Sequence, residues 1–511
     1  MSQLFARKSI ADCEADVAER GGLKRTLTKW HLTALGVGAT IGAGIFATTG
    51  TAIAGDALRP GAGPAIILSF LLTAIACGFA ALCYAEFASM VPVSGSAYTY
   101  AYASLGELVA WIIGWDLIIE YAVGNIGVAI GWAGYFRELV SHLGITIPAW
   151  LATDYRSAYD AVAAVTAGAT DAGTQYLASA VATAPMVFGI PFIANIPAFM
   201  VVLVITAVLV IGVRESANVN NAMVVLKIAI ILFFIAVGVF LINPSNWTDV
   251  TSGGFAPNGI RGISAGAAII FFSYIGFDAV STAAEEAKTP AKDMPFGIIM
   301  SLVICTVLYV AVSAVMTGMA PWQQLGTAEP MITALAHADG PPALLNFSRF
   351  VIAFGAVVAM GSVLLVFQMG QPRIFFSMSR DGLLPPFFAK VHPRFKTPYV
   401  GTILTGVFVA TFAAFANIAE VVDLTNIGTL FAFILVSVGV IVLRYREPDR
   451  VRPFRVPGAP WTPLISIVAC LYLMSHLPGI TWVRFGIWLL LGIVVYFGYG
   501  YRHSRYRQRQ G

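Results

Sequence analysis

Twelve runs of this chain are apolar over roughly the 20 residues that a helix needs to cross a bilayer, and no other feature narrows its fold as far. Their approximate limits are 31–51, 64–90, 105–137, 193–213, 218–242, 263–285, 297–320, 346–378, 398–417, 422–443, 462–478 and 483–501. In lipid, backbone N–H and C=O groups must be satisfied internally, which leaves helices or closed barrels. None of the runs breaks into the alternating segments of a barrel, so the expectation is an all-α polytopic membrane protein of about 12 transmembrane helices. The third and eighth runs exceed a perpendicular crossing, which calls for tilt or extension past the membrane.

Composition enters as confirmation of that class. The chain is 58% hydrophobic and 11% charged, against about 45–50% and 25% for ordinary globular domains. A net charge of +4 therefore carries no nucleic-acid signal; what counts is where Lys and Arg fall relative to the spans. Lys24, Arg25 and Lys29 precede the first span, Lys288 and Lys292 follow the sixth, and Arg380, Lys390, Arg394 and Lys396 follow the eighth. Arg444 to Arg455 after the tenth and Arg502 to Arg509 at the end complete one basic side, so both termini are expected in the cytoplasm, with the plasma membrane (a bacterial inner membrane) as location. Residues 1–30 read as a cytoplasmic lead-in without the apolar core of a cleaved signal, and 502–511 as a basic cytoplasmic tail. The 138–192 loop falls on the opposite side.

The five cysteines lack CxxC or Cys/His clustering and the six histidines are scattered, so neither metal, cofactor nor intramembrane enzyme chemistry is expected.

Two spans are interrupted in matching ways. The first concentrates glycine in Gly36-Val37-Gly38-Ala39-Thr40-Ile41-Gly42-Ala43-Gly44, and the sixth runs through Phe271-Phe272-Ser273-Tyr274-Ile275-Gly276-Phe277-Asp278. Broken helices at corresponding positions of two halves mark the midplane site of inverted-repeat transporters, and a spacing of one to six sets five spans per repeat. Unwinding frees N–H groups that hold a carboxylate and C=O groups that hold an ammonium, the two ends of a zwitterionic amino acid. Close helix packing through small residues is the competing reading of Gly38 and Gly42.

Lys227 is a lone ammonium inside the fifth run. At bilayer depth such a charge costs roughly 2.5–3.5 kcal/mol and is retained where it faces a wet or polar interior. A lysine snorkelling from the helix end is the alternative.

Gly42-Ala43-Gly44-Ile45-Phe46, Pro92-Val93-Ser94-Gly95-Ser96-Ala97-Tyr98-Thr99-Tyr100 and Phe272 to Asp278 resemble the amino acid–polyamine–organocation superfamily. Glu285 to Pro290 with Asp293-Met294-Pro295, Ser379 to Pro385, and Phe454-Arg455-Val456-Pro457-Gly458 narrow the resemblance to its cationic amino acid transporter branch. The resemblance implies a ten-helix core over 31–443, an inverted repeat of five plus five (31–242 and 263–443), two extra helices in 444–501, and alternating access around an amino acid.

It also implies site residues. The backbone of Thr40, Gly42, Ala43 and Gly44, with Phe272, Ser273, Ile275, Gly276 and Phe277, forms the cradle: N–H groups of Ala43 and Gly44 for the carboxylate, carbonyls near Thr40, Phe272, Ser273 and Ile275 for the ammonium, Phe277 as a lid. Lys227 stands where sodium-independent members carry a lysine in place of sodium. Glu120 is its expected partner, on one helix face with Asp116, and a proton-coupling pair competes with a permanent structural ion pair. Despite the branch name, Phe367 on the wall of the eighth span favours a small or medium neutral amino acid over a long cationic one. The expected partners are thus an amino acid, a proton and the bilayer, with no nucleic acid and a small membrane subunit left open. Exchange of amino acids or polyamines, and a nontransporting receptor, remain alternatives.

Overall fold

In the computed structural model the chain is mostly helical; the structure describes residues 7–8, 25–91, 96–169, 172–212, 217–249, 251 and 253–506. The Pro92–Gly95 part of one motif and most of the terminal segments lie outside the described residues. Among the described residues, nine helices are long and apolar enough to cross a membrane. Three further apolar helices, α9 (Ile196–Ile211), α15 (Tyr399–Phe415) and α17 (Trp461–Ser475), fall where the fourth, ninth and eleventh runs were expected, and are shorter than 18 residues.

The first span holds α1 (Lys29–Thr40) and α2 (Thr49–Ala54), and the second is α3 (Ile66–Met90). A short α4 (Ser96–Ser104) precedes the third span, in which α5 (Glu107–Ile118) and α6 (Gly124–His142) are joined by a π turn at Ile119–Val123. Together they reach 36 residues, the over-length read from sequence. After α9 come α10 (Ala217–Val239), α11 (Gly259–Ile270), α12 (Pro290–Met319) and α13 (Pro330–His337). The 39-residue α14 (Pro342–Arg380) keeps Pro372 within it, and α16 (Ile418–Arg446) and α18 (Gly479–Val495) supply the tenth and twelfth runs.

The hydrophobic core lies between the helices while the outward faces stay apolar, the pattern of a bundle whose solvent is lipid. Its two ends are tied differently. At one, the chain entering α1 pairs with the chain leaving the sixth span: Leu27 N–H donates to Glu286 O (2.9 Å) and Lys288 N–H to Leu27 O (2.8 Å). At the other, Arg59, in the loop between the first two spans, donates to Asp423 of α16 at 2.7 Å, and both side chains are buried.

The 138–192 loop is a folded cap. It contains α7 (Tyr155–Thr166), α8 (Ala172–Thr183) and a two-strand hairpin, β1 (Met186–Val187) with β2 (Ile190–Pro191). The local signal was present: Asp154 caps the first helix, accepting from Ser157 N–H at 2.9 Å.

Candidate substrate and coupling site

In the first span, α1 stops at Thr40, Ile41 turns extended with ψ 98°, and helix resumes at Ala43 through a π turn at Gly44–Thr48. The hydroxyls of Thr48 and Thr49 both donate to Gly44 O, at 2.8 and 3.0 Å, which satisfies a carbonyl in the irregular turn. In the sixth span, α11 tightens to a 3₁₀ turn at Phe271–Tyr274, Ile275 is extended with ψ 132°, and Gly276 adopts φ 118° before a 3₁₀ segment, Asp278–Glu286. Only glycine enters that last region readily. Gly276 N–H donates to Asp278 Oδ1 at 3.2 Å.

The two breaks touch. A Cβ on Gly44 would stand 2.2 Å from Ser273 Cα, and one on Gly276 would stand 2.8 Å from the Ala39 carbonyl carbon. Thr40, Gly42, Ala43 and Gly44 of the first break are therefore brought against Phe272, Ser273, Ile275 and Gly276 of the sixth. Helix resuming after a break leaves the N–H groups of its first turn without intrahelical acceptors, so Ala43 and Gly44 present donors of the kind a carboxylate needs. On the carbonyl side Thr40 is already partly used. Its oxygen already accepts from Tyr309 OH of α12 at 2.9 Å, so an ammonium there would have to use the carbonyl's second lone pair.

Other walls come from the third, eighth and tenth spans. Gly42 faces Val363, and Gly131 faces Ala43, Ala47 and Met360. Phe367 packs edge-on against Tyr121, with centroids 5.7 Å apart, and lies beside Gly124. Gln368 faces elsewhere, accepting from Asn125 Nδ2 at 2.6 Å and donating to Thr206 at 3.3 Å. Phe277, expected as a lid, instead joins an aromatic cluster with Tyr84 and Phe433, at 6.2 and 5.3 Å. The sixth-span ring that faces the third span is Phe272, beside Gly127.

Lys227 is buried, and its Nζ donates to Gly38 O, 2.5 Å away and two residues before the end of α1. The expected Lys227–Glu120 pair is not formed. Glu120 sits in the π turn of the third span, buried near the carboxyls of Asp278 and Asp116 and the hydroxyl of Thr429, and its Oε2, like Asp278 Oδ2, is buried without a hydrogen-bond partner among the described residues. The physical reason is the register of the breaks: unwinding at Gly276 swings Asp278 toward the third span, while unwinding after Thr40 offers the fifth span a carbonyl. Sequence reasoning also missed Tyr309 and Asn426. Asn426 Nδ2 donates to Ala268 O and Ile269 O at 2.7 and 3.1 Å, holding the last carbonyls of α11. A buried asparagine and tyrosine in apolar runs were the available signals.

A wide groove of about 560 Å³ between α3 and α17, lined by Leu72, Ile75, Trp461, Val468 and Tyr472 among others, exposes only apolar atoms on the lipid side and does not suit a zwitterion.

A bundle of membrane helices, two of them broken at glycine-containing segments that touch in the buried interior, is the architecture of a secondary transporter. The chain belongs to the amino acid permease family, within the amino acid–polyamine–organocation superfamily: the family's model matches residues 27–498. It is 46% identical over 505 residues to the branched-chain amino acid permease BcaP of Bacillus subtilis (strain 168), with 99% of each chain covered. It is 44% identical over 504 residues to the methylthioribose transporter of the same organism, again with 99% of each covered. Identity to cationic amino acid transporter 4 of Mus musculus is 30% over 608 residues, covering 96% of this chain and 89% of the relative. These relatives are permeases and transporters, and the chain is a multi-pass membrane transporter, not an enzyme.

Proposed function

We propose that this protein is a proton-coupled, sodium-independent carrier of small or medium neutral amino acids, working by alternating access in the plasma membrane. The observation that carries the reading is the buried Lys227 ammonium on the carbonyl of Gly38, a cation pinned to the first span just before its break. A cation there does what a coupling metal ion would: it holds the fifth span against the first in one state. Losing its proton removes the charge and weakens that bond, which frees the first span to move.

Glu120 keeps a role in this reading through a different partner. The buried Glu120 carboxyl lies near Asp278, and this pair is assigned as the proton carrier between the third span and the sixth. The transport core is proposed as two inverted repeats of five spans, 31–242 and 263–443. The three shorter apolar helices count as crossings, which gives twelve spans with both termini in the cytoplasm.

For the substrate, a cradle of Ala43 and Gly44 N–H groups receives the carboxylate, and apolar Val363 and Phe367 line the side-chain end. Branched-chain amino acids and the neutral thioether sugar named for the two bacterial relatives both suit an apolar wall. The test is uptake into proteoliposomes across the common amino acids and methylthioribose, with proton and sodium gradients imposed separately. Neutral substrates driven by an inward proton gradient alone are expected. Preference for arginine or lysine, or uptake only against a preloaded amino acid, would replace the reading by cationic transport or exchange.

A further inference from the structure

The cap hairpin ends in a turn of unusual make-up. Phe188 and Gly189 connect β1 to β2 with φ of 51° and 81°, the left-handed values of a two-residue hairpin turn. Such a turn normally takes Asn or Asp first, because a bulky side chain is strained at positive φ. Here the position carries phenylalanine, and its ring is 100% exposed. Met186 and Ile190 beside it are exposed as well. Nothing in the described chain compensates either the strain or the exposure.

The hairpin's base is fixed. Phe192 N–H donates to Pro185 O at 2.8 Å, Ala194 N–H to Trp150 O at 2.9 Å, and Tyr155 OH to Pro191 O. Asn195 N–H then donates to Ala414 O at 2.8 Å, which sets the hairpin's exit level with the end of α15 and one residue before α9 begins. Both helices present exposed apolar faces there, Phe412 and Phe415 on one and Met200 on the other. From Ala172 to Val213 the chain contains no Asp, Glu, Lys or Arg. The apolar tip is thus joined through an uncharged segment to α9, and the segment's exit is tied beside the apolar end of α15.

We infer that the Met186–Ile190 hairpin inserts into the leaflet on the cap's side and anchors the cap to the bilayer surface. An amphipathic element at that depth buries its apolar residues among the acyl chains while its backbone polar groups reach the headgroup region. Phe188 is the wedge.

The test is spin labelling of the full-length protein carrying Cys13→Ser, since the four other cysteines are buried. Labels are placed at Phe188→Cys and, as reference, at the exposed Ala167→Cys in the same cap, and the protein is reconstituted in phosphatidylcholine–phosphatidylglycerol vesicles. At position 188, collisions with oxygen should exceed those with a water-soluble nickel chelate; at 167 the order should reverse. Ile190→Cys serves as a second tip position if Phe188→Cys disturbs the fold, and detergent-solubilised protein should lose the contrast between sites. Nickel accessibility at 188 equal to that at 167 would overturn the inference, and so would dipolar broadening between labels on two copies.

Discussion

The first and sixth spans are broken at facing positions, yet the breaks are built from different chemistry. In the first, two residues leave the helix and a π turn restores it, with glycine serving close approach: Gly44 lies against Ser273 Cα. In the sixth the helix is lost for longer, and Gly276 serves conformation as well, at φ 118°. Each break also has its own buried ionisable group, Lys227 on Gly38 O for the first and Asp278, whose Oδ1 accepts from Gly276 N–H, for the second. The difference teaches that the first break needs glycine for close packing alone, while the second also needs a backbone conformation that only glycine adopts readily.

The sharpest way to break that comparison is to fill the contact. Gly44→Ala puts a methyl 2.2 Å from backbone, and backbone cannot rotate away, so overpacking of about 1–3 kcal/mol falls on the site itself. Uptake should drop to background with protein still in the membrane. Gly276→Ala adds strain at positive φ to the clash with Ala39 and should be equally inactive. Uptake close to that of the unmodified protein in either variant, at matched expression, would mean that the breaks do not meet during transport.

Next in size are the charged groups. Lys227→Met keeps length and burial but removes the cation on Gly38 O; proton-driven uptake should fall at least tenfold, with substrate binding less affected. Glu120→Gln keeps a polar side chain of the same size near Asp278 but removes the titratable group, and should change the pH dependence of uptake more than its maximum. If the two groups govern separate breaks, their effects on transport add in free energy; strong non-additivity would show one coupled network. Undiminished proton-driven uptake by Lys227→Met would reduce the lysine to a structural fastener.

Much of this architecture is legible in the order of the amino acids alone. Apolar run length locates the membrane helices, because hydrocarbon thickness acts on every span alike. Glycine density locates the breaks, because a lipid-facing helix has no use for Gly36, Gly38, Gly42 and Gly44 together. What stays hidden is pairing. Lys227 and Glu120 are the conspicuous deep charges, and joining them is the natural reading, but each lies near a group placed by a neighbouring break: a carbonyl for one, Asp278 for the other. Sequence spacing cannot give the rotation of an unwound segment. The cap escapes notice for a related reason, since its two helices are short and their signals are a single N-cap and alanine-rich composition.

A smaller effect is expected at the side-chain end. Phe367→Ser removes the ring that packs on Tyr121 and enlarges the space beside Gly124. Uptake of bulkier neutral amino acids should rise relative to alanine-sized ones, by roughly the ten- to 200-fold that pocket methylenes can discriminate. Carboxylate recognition should be unchanged, since the proposed carboxylate site lies at the first break, and amino acid amides should remain weaker competitors than the parent amino acids.

The smallest effect separates two glycines that look alike in sequence. Gly42 and Gly44 flank Ala43, and packing through small residues would treat them as one motif. Their surroundings differ: a Cβ on Gly42 meets Val363 Cγ2 at 2.9 Å, the end of a side chain, where a Cβ on Gly44 meets backbone. A valine methyl can give by a few tenths of an ångström, although a β-branched chain has few rotamers to choose from. Gly42→Ala should therefore lower uptake only several-fold, and Val363→Ala in the same chain should restore it by making room. Restoration would place the first break's tolerance on its eighth-span side and its rigidity on its sixth-span side. Complete loss in Gly42→Ala without rescue by Val363→Ala would show instead that Gly42 is needed for its backbone freedom, as Gly276 is, and not for the room it leaves Val363.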